Sequence, residues 1–247
     1  MGEEIERRYR NWVASEDLVI FEAVRGESDL FISADKDLAV PAKQLIEECR
    51  AIIKDYIERC PQFKSSLQPL EPTSGAAPII KEMIEASQRA NVGPMAAVAG
   101  AVAEYVGKGL LDFSPEVIVE NGGDIFIKSS RDRIIGIYAG KDSLAKKVAL
   151  KIKGHQTPLG ICTSSGTVGH SLSFGKADSV TIVSKSTPLA DAVATAVANI
   201  IKEAADITKG IELAKGIAGI KGGLIIIGEK LGIWGDMELV KGGNNDL

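Results

Sequence analysis

The sequence predicts an α+β fold of two layers, in which strand pairs alternate with helices. Short β-type apolar runs bounded by turn residues are separated by longer stretches whose apolar residues have helical spacing. Three sequence markers also recur in the same order in two regions of the chain, which indicates an internal duplication of a strand-pair and helix unit. The markers are VAGAVA (98–103), NGGDIFI (121–127) and IGIYAG (135–140), then VATAVA (193–198), KGGLIII (221–227) and LGIWGD (231–236). Chance recurrence of Ala, Val and Gly-Gly is the alternative explanation.

The first part of the chain predicts a hairpin followed by helices. Two β-type runs flank the turn Arg25-Gly26-Glu27-Ser28, and the apolar spacing that follows fits an amphipathic helix ended by Pro61. A stretch containing Pro, Ser and Gly then forms either a loop over the functional site or a linker. The predicted elements are strands at 17–24 and 29–34, helices at 41–60, 79–90 and 94–105, and the loop or linker at 65–78.

The second part predicts another hairpin, two helices and further strands. Its most regular element is an Ala-rich helix opened by Pro188. The predicted elements are a hairpin at 117–127 continued by a strand at 134–138, a short helix at 142–153, a Gly-, Ser- and Thr-rich loop at 160–173, a strand at 180–184, a helix at 188–204 and strands at 224–227 and 231–234. We interpret residues 1–247 as one domain that contains pseudo-repeats at 94–140 and 189–236.

Composition narrows the class of protein. Acidic and basic residues are interspersed and the net charge is −4, so the sequence does not have the basic footprint of a nucleic-acid binder. Three cysteines without a CxxC pair indicate a reducing, cytoplasmic location rather than a disulfide framework or a zinc site. The charged start lacks a signal peptide, and the most apolar segment, 92–103, is too short to span a bilayer. We therefore expect a soluble protein without membrane or nucleic-acid partners.

Asp191 and Thr195 are the strongest candidates for metal ligands. They lie four residues apart on the predicted Ala-rich helix, so both side chains leave one face of it. A carboxylate and a hydroxyl are hard oxygen donors, which suit Mg²⁺ completed by waters and phosphates. On spacing alone, helix capping by Asp191 and a backbone hydrogen bond from Thr195 are the favoured alternative. In the register of the duplication, Ala96 and Gly100 occupy these positions in the first copy.

The Gly-, Ser- and Thr-rich loop is a candidate anion-binding segment. Small donors and a permissive backbone, including Ser164, Ser165 and Gly166, could wrap a phosphate or a ring edge. His170 is one of only two histidines and is the main candidate acid or base of the loop. Cys162 precedes the loop and is either a thiol nucleophile or an inert packing residue.

The turn Asn121-Gly122-Gly123-Asp124 presents a carboxylate at the start of a strand. Its glycines tolerate positive φ, as a tight turn requires. The second copy keeps Gly222 and Gly223, which we expect to form a turn, but has Leu224 in place of the acid. The glycines therefore read as structural and Asp124 as functional.

At these three places the chain resembles the ApbE superfamily, the FAD:protein FMN transferases. Hallmarks of that superfamily include an N-x-GGD turn, a Ser-Gly loop leading to a His, and an A-D-A-x-A-T helix that holds Mg²⁺. The counterparts here read NGGDI (121–125), TSSGTVGHSLSFG (163–175) and ADAVATA (190–196). The chain as a whole is more similar to short archaeal and bacterial members of the superfamily. The resemblance implies a T-fold-like architecture.

The resemblance also implies roles for individual residues. Asp191 and Thr195 would be side-chain ligands of Mg²⁺, with Asp191 and His170 as the catalytic residues. FAD would enter as substrate or ligand. The residues implied to line the flavin nucleotide site are Asn121, Gly122, Gly123, Asp124, Ser164, Ser165, Gly166 and His170.

The implied activity is the division of FAD at its pyrophosphate. FMN would pass to a Thr or Ser of an acceptor protein, or to water, and AMP would leave. Because Ser171 follows His170 where the transferases usually have Asp-Pro, a non-catalytic flavin or nucleotide binder is one alternative. A sulfur-handling or redox protein that uses Cys162 is another. The oligomeric state stays open, with a homodimer as one option.

Overall fold

The centre of the fold is an eight-stranded antiparallel sheet. The computed structural model describes residues 17–137, 148–165 and 175–241. The sheet order is β1-β2-β3-β4-β7-β8-β9-β10, and every neighbouring pair is antiparallel. Its strands are β1 (Val19–Arg25), β2 (Ser28–Ala34), β3 (Val117–Asn121), β4 (Asp124–Lys128), β7 (Leu159–Ser164), β8 (Ser179–Ser184), β9 (Ile220–Ile227) and β10 (Lys230–Gly235). This confirms the predicted mixture of helices and strands.

Helices cover one face of this sheet. The long α1 and the Ala-rich α4 and α5 form, with α3, the main hydrophobic core against inward side chains such as Ile32, Phe126 and Ile182. The helices are α1 (Ala39–Arg59), α2 (Gln62–Ser65), α3 (Pro78–Ala90), α4 (Val98–Leu110), α5 (Thr187–Ile200) and α6 (Ile207–Lys215), with a 3₁₀ turn at Pro94–Ala97 that leads into α4. The predicted helices at 41–60, 79–90 and 188–204 are therefore confirmed within a few residues.

The opposite face carries a third layer that the sequence did not predict. A three-stranded sheet, in the order β11-β6-β5, packs there. Its strands are β5 (Arg133–Gly136), β6 (Val148–Ile152) and β11 (Glu238–Lys241). A second hydrophobic core joins the two sheets through residues that include Ile118, Ile127, Leu150 and Leu224. The prediction of two layers was wrong because apolar residues on both faces of β3, β4 and β7 need cover on both sides.

Two segments differ from their predicted structure. The helix predicted at 142–153 is wrong over residues 148–152, which form β6; residues 138–147 lie outside the described ranges. The predicted loop at 160–173 begins with a central strand, β7, because this segment pairs with β4 and β8. Gly160 also lets helix α5 pack directly on the strand. A Cβ on Gly160 would lie 2.4 Å from Thr187 Cα.

The two Gly-Gly markers occupy different places. Gly122 and Gly123 form the β3–β4 turn with φ of +64° and +101°, as predicted. Gly222 and Gly223 lie inside β9, paired with Val183 and Ile182, so the turn predicted there is wrong. The internal duplication stays a prediction, and this pair of markers does not support it.

Candidate metal and nucleotide site

Helix α5 begins at a well-defined N-terminus. Ser186 caps it, since its Oγ accepts a hydrogen bond from Leu189 N at 3.3 Å, and Pro188 fills an early position that needs no donor. Thr187 N donates to a carboxylate oxygen of Glu104 at 2.5 Å. Asp191 therefore does not cap this helix, and the capping alternative for it is wrong.

Asp191 points from α5 onto the neighbouring helix α4. Its Oδ2 accepts a hydrogen bond from Gly100 N at 2.9 Å. A Cβ on Gly100 would lie 2.9 Å from Asp191 Cβ and 2.7 Å from Thr187 O, closer than non-bonded atoms approach. The absence of a side chain at Gly100 is therefore what brings a backbone donor of α4 to the carboxylate.

The β3–β4 hairpin is tied to the same place. Asn121 Nδ2 donates to Ala99 O on α4 at 3.0 Å, and Gly123 N donates to Glu120 Oε1 at 2.8 Å. In the sheet register Asp124 lies opposite Cys162. The hairpin turn, the start of α4 and strand β7 therefore meet beside Asp191.

Burial raises the pKa of both aspartates of this site. Asp124 is 6% exposed, and burial, followed by the charge of Asp191, holds its pKa well above the usual range. Burial also raises the pKa of Asp191 to about 7, although the residue keeps some exposed surface and backbone N–H groups of Gly100 and Ala99 act in the opposite direction. A buried carboxyl whose pKa is raised by the charge of a half-buried one favours either a shared proton or a cation.

Cys162 lies opposite Asp124 in the sheet and contacts the first turn of α5. Its Sγ donates to Thr187 O at 3.3 Å, and burial, then the charges of Asp124 and Asp191, raise the pKa of the thiol well above its usual range. A thiolate is therefore strongly disfavoured at neutral pH, and the geometry matches a packing cysteine.

Ser164 is a buried hydroxyl on the same face of the sheet. Alternate residues of a strand share a face, so Ser164 and Cys162 both face the helix side. Ser164 is 6% exposed, and within the described ranges its Oγ has no hydrogen-bond partner. Such a group is a natural place for a ligand to bind.

The other predicted site residues are only partly placed. Thr195 lies one helical turn after Asp191 on α5 and keeps some exposure, and Ser165 follows the end of β7. Gly166 and His170 lie outside the described residues. The structure thus brings Asn121, Asp124 and Asp191 together around the start of α4 and β7. Ser164 lies two residues after Cys162 on β7, and Thr195 follows Asp191 by one turn on α5.

Two contributors to the site escaped sequence reasoning. Gly100 donates to Asp191, and Glu104 anchors the first residue of α5. The signal for Glu104 was available, because a lone carboxylate in an Ala- and Val-rich helix requires a specific partner once that helix is buried.

The donor set suits Mg²⁺ rather than a transition metal. Across the described ranges, no group of three or more His, Cys, Asp or Glu side chains is arranged to hold a metal. A carboxylate and a hydroxyl one turn apart, beside a second buried carboxyl, leave most positions to waters and phosphate oxygens, as Mg²⁺ prefers. The residues therefore fit the cation that the sequence motif implies.

Solved structures with a similar fold include two flavin transferases. The fold is similar to the flavin transferase ApbE of Vibrio cholerae, with a TM-score of 0.55, 13% identity, and coverage of 88% of this chain and 96% of that chain. The apo form of the Pseudomonas stutzeri flavinyl transferase ApbE has a TM-score of 0.54 and 14% identity, and the match covers 91% of this chain and 94% of that chain. The ApbE protein of Thermotoga maritima has a TM-score of 0.57 and 14% identity, and the match covers 87% of this chain and 96% of that chain. At these identities the likeness establishes the fold class.

Sequence relatives define the family. A family model described as AbpE bacteria matches residues 10–213. A UPF0280 protein of Methanocaldococcus jannaschii is 41% identical over 213 residues, which cover 84% of this chain and 86% of that one. A UPF0280 protein of Methanococcus aeolicus is 38% identical over 222 residues, with coverage of 87% and 90%. The chain belongs to this family of the ApbE-like superfamily, as the motifs predicted.

The helices give no sign of a membrane span. No helix among the described residues is long and apolar enough to cross a bilayer.

Proposed function

We propose that the protein is an Mg²⁺-dependent flavin nucleotide enzyme that divides FAD at its pyrophosphate. FMN passes to a Thr or Ser hydroxyl of an acceptor protein, or to water, and AMP leaves. One observation carries this proposal: the Asp191 carboxylate is held by Gly100 N beside the buried Asp124, on a helix that presents Thr195 one turn further on. The similarity of the fold to the flavin transferases of Vibrio cholerae and Pseudomonas stutzeri supports the same class of substrate.

Asp191 and Thr195 are the residues that would hold Mg²⁺. When bound there, the cation would neutralise the pyrophosphate and stabilise the charge that develops on the leaving phosphate. The N–H of Gly100 orients the Asp191 carboxylate, and the bond from Asn121 to Ala99 O fixes the hairpin turn relative to α4. The Ser164 hydroxyl has no hydrogen-bond partner among the described residues and would be available to the nucleotide.

The reaction needs a base as well as a cation. The attacking hydroxyl oxygen bonds to the FMN phosphorus, the phosphorus–oxygen bond to the AMP half breaks, and AMP keeps that electron pair. The hydroxyl proton passes to the base. His170 is the base that the sequence motif implies.

Product analysis tests the proposal. Purified protein is incubated with FAD and MgCl₂, with and without a Thr-containing acceptor, and AMP is quantified by chromatography. Asp191→Ala should lower AMP release by about a hundredfold or more, whereas Asp112→Ala, which removes an exposed carboxylate, should leave it unchanged. A lack of AMP under all these conditions, or full activity of Asp191→Ala, would overturn the proposal.

A binding role without cleavage is the second candidate. The buried Ser164 hydroxyl, for which the described part of the chain offers no partner, supports a ligand site irrespective of turnover. In that case FAD raises the melting temperature by mass action while no AMP appears. The alternative of a Cys162-based thiol enzyme receives no support, because the thiol is buried and its pKa is raised. The cytoplasmic location and a homodimer remain predictions.

A further inference from the structure

Glu104 is a buried carboxylate that reaches from one central helix to the other. It lies on α4 and is 5% exposed. One oxygen, Oε2, accepts a hydrogen bond from Thr187 N at 2.5 Å, and the other, Oε1, pairs with Lys108 Nζ at 2.6 Å. Both oxygens of this side chain therefore have defined partners on the two helices.

The placement of Glu104 is energetically demanding. Burying a carboxylate among apolar side chains is unfavourable unless charged or dipolar groups compensate it. Lys108 supplies a positive charge, and the N-terminus of α5 supplies an unsatisfied N–H together with the positive end of its dipole. Because its burial needs both of these partners, Glu104 is suited to hold the N-terminus of α5 in position against α4.

Thr187 is the point at which this anchor meets the candidate site. Its N–H donates a hydrogen bond to Glu104, and its carbonyl oxygen accepts a hydrogen bond from the thiol of Cys162. Cys162 lies opposite Asp124 in the sheet. The same residue packs against Gly160 and Gly100, where a Cβ would lie 2.4 Å from Thr187 Cα and 2.7 Å from Thr187 O. The first turn of α5 is thus fixed on all of these sides.

Asp191 follows Thr187 by one helical turn, so its carboxylate moves with that turn. A shift of the α5 N-terminus away from α4 would break the bond between Gly100 N and Asp191 Oδ2. We propose that Glu104 is a positioning residue for the cation site, acting through Thr187 on Asp191. This inference rests on the proposed function, because it assigns Glu104 a task toward the same cation.

Three substitutions separate the effect of the length of the Glu104 side chain from the effect of its charge. Glu104→Gln keeps an acceptor for Thr187 N without the charge, Glu104→Asp keeps the charge with a shorter side chain, and Glu104→Ala removes both. Glu82→Gln is the matched control, because Glu82 lies near Lys108, at 3.9 Å, and makes no bond to Thr187. Circular dichroism and thermal melting establish which variants fold.

The main readout is cation affinity without turnover. Mn²⁺ is titrated in the presence of ADP, which has a pyrophosphate but no FMN to transfer, and free Mn²⁺ is followed by electron paramagnetic resonance. We expect Glu104→Ala and Glu104→Asp to weaken Mn²⁺ binding by about tenfold or more. Glu104→Gln should retain most of the affinity, and Glu82→Gln should match the wild type.

Amide exchange gives an independent readout. Loss of the anchor should speed hydrogen exchange at residues 187–191 in Glu104→Asp but not in Glu104→Gln. If Glu104→Ala or Glu104→Asp folds and binds Mn²⁺ with wild-type affinity, the positioning role of Glu104 is contradicted while the proposed function stands. The same holds if Glu104→Gln binds Mn²⁺ more weakly than Glu104→Asp. If Glu104→Ala does not fold, the Gln and Asp variants decide. Wild-type protein that binds no Mn²⁺ with ADP or FAD contradicts the proposed function, and the inference then fails with it.

Discussion

Helices α4 and α5 have nearly the same central sequence and perform different tasks. VAGAVA lies in α4 and VATAVA in α5, and both are buried at the centre of the fold. Helix α4 offers a backbone donor, Gly100 N, and a buried anchor, Glu104, whereas α5 presents Asp191 and Thr195. Small residues bring the helices close enough for a backbone N–H of one to hold a carboxylate of the other. The comparison teaches that the packing helix is part of the site.

The most damaging change should be a side chain at the point of closest approach. Gly100→Val places atoms where Thr187 O and Asp191 Cβ already lie. We expect a loss of about 3 kcal/mol in the free energy of unfolding, together with loss of Mn²⁺ binding. Urea denaturation measures the first effect. Gly216→Ala, whose Cβ would meet only carbonyl oxygens at 3.5 Å, is the control and should be nearly neutral.

The carboxylate that α5 presents should make stability depend on pH. The folded pKa of Asp191 is raised to about 7 from a usual 3.8, so the folded state binds its proton more tightly. Its contribution is fully present below pH 3.8 and is lost as pH rises to about 7. Without metal, we expect Asp191→Asn to remove about 1–3 kcal/mol of this decline, with the full shift discounted for partial exposure.

Urea denaturation at pH 4.5 and 7.5 in EDTA measures the difference between wild type and Asp191→Asn. Asp112→Asn is the control because its carboxylate is exposed. Equal pH dependence of the free energy of unfolding in Asp191→Asn and wild type would show that burial does not raise the pKa of Asp191.

A side-chain hydrogen bond from Asn121 ties the β3–β4 hairpin to α4, and one substitution removes it. Asn121→Ala eliminates the donor to Ala99 O. We expect a loss of about 1 kcal/mol in stability and weaker nucleotide binding, because the turn is no longer fixed to the helix. Fluorescence titration with FAD measures the binding. Unchanged affinity in Asn121→Ala would remove this turn from the nucleotide site.

Cys162 should give the smallest functional effect. Cys162→Ala removes a buried thiol and its bond to Thr187 O. We expect AMP release within about threefold of the wild type and a loss of about 1 kcal/mol in stability. Cys49→Ala, which removes another buried thiol of the main hydrophobic core, is the comparison for stability. Abolished activity in a folded Cys162→Ala protein would restore the thiol hypothesis.

Local signals predicted the elements that have one buried face or a clear end. The hairpin around Gly26 and the helix ended by Pro61 follow from such signals. Strand β6 was missed because Lys146, Lys147 and Lys151 give its neighbourhood a helical charge pattern, whereas pairing with β5 and β11 decides its structure. Long-range pairing of this kind leaves no local trace in a sequence.

The candidate site was predictable as a set of motifs but not as an arrangement. Asp191, Thr195 and Asp124 carry recognisable chemistry at recognisable spacing. The bond from Gly100 to Asp191 and the anchor from Glu104 to Thr187 join residues about 80 to 90 positions apart, and only the packing of α4 on α5 creates them.

A crystal structure of the protein grown with FAD and Mg²⁺ would test the central claim most directly. The account predicts continuous density that joins the Asp191 carboxylate, the Thr195 hydroxyl, one cation and the pyrophosphate, with the flavin nucleotide beside Asn121 and Asp124. A nucleotide bound elsewhere, or a pyrophosphate without a cation at Asp191 and Thr195, would contradict it.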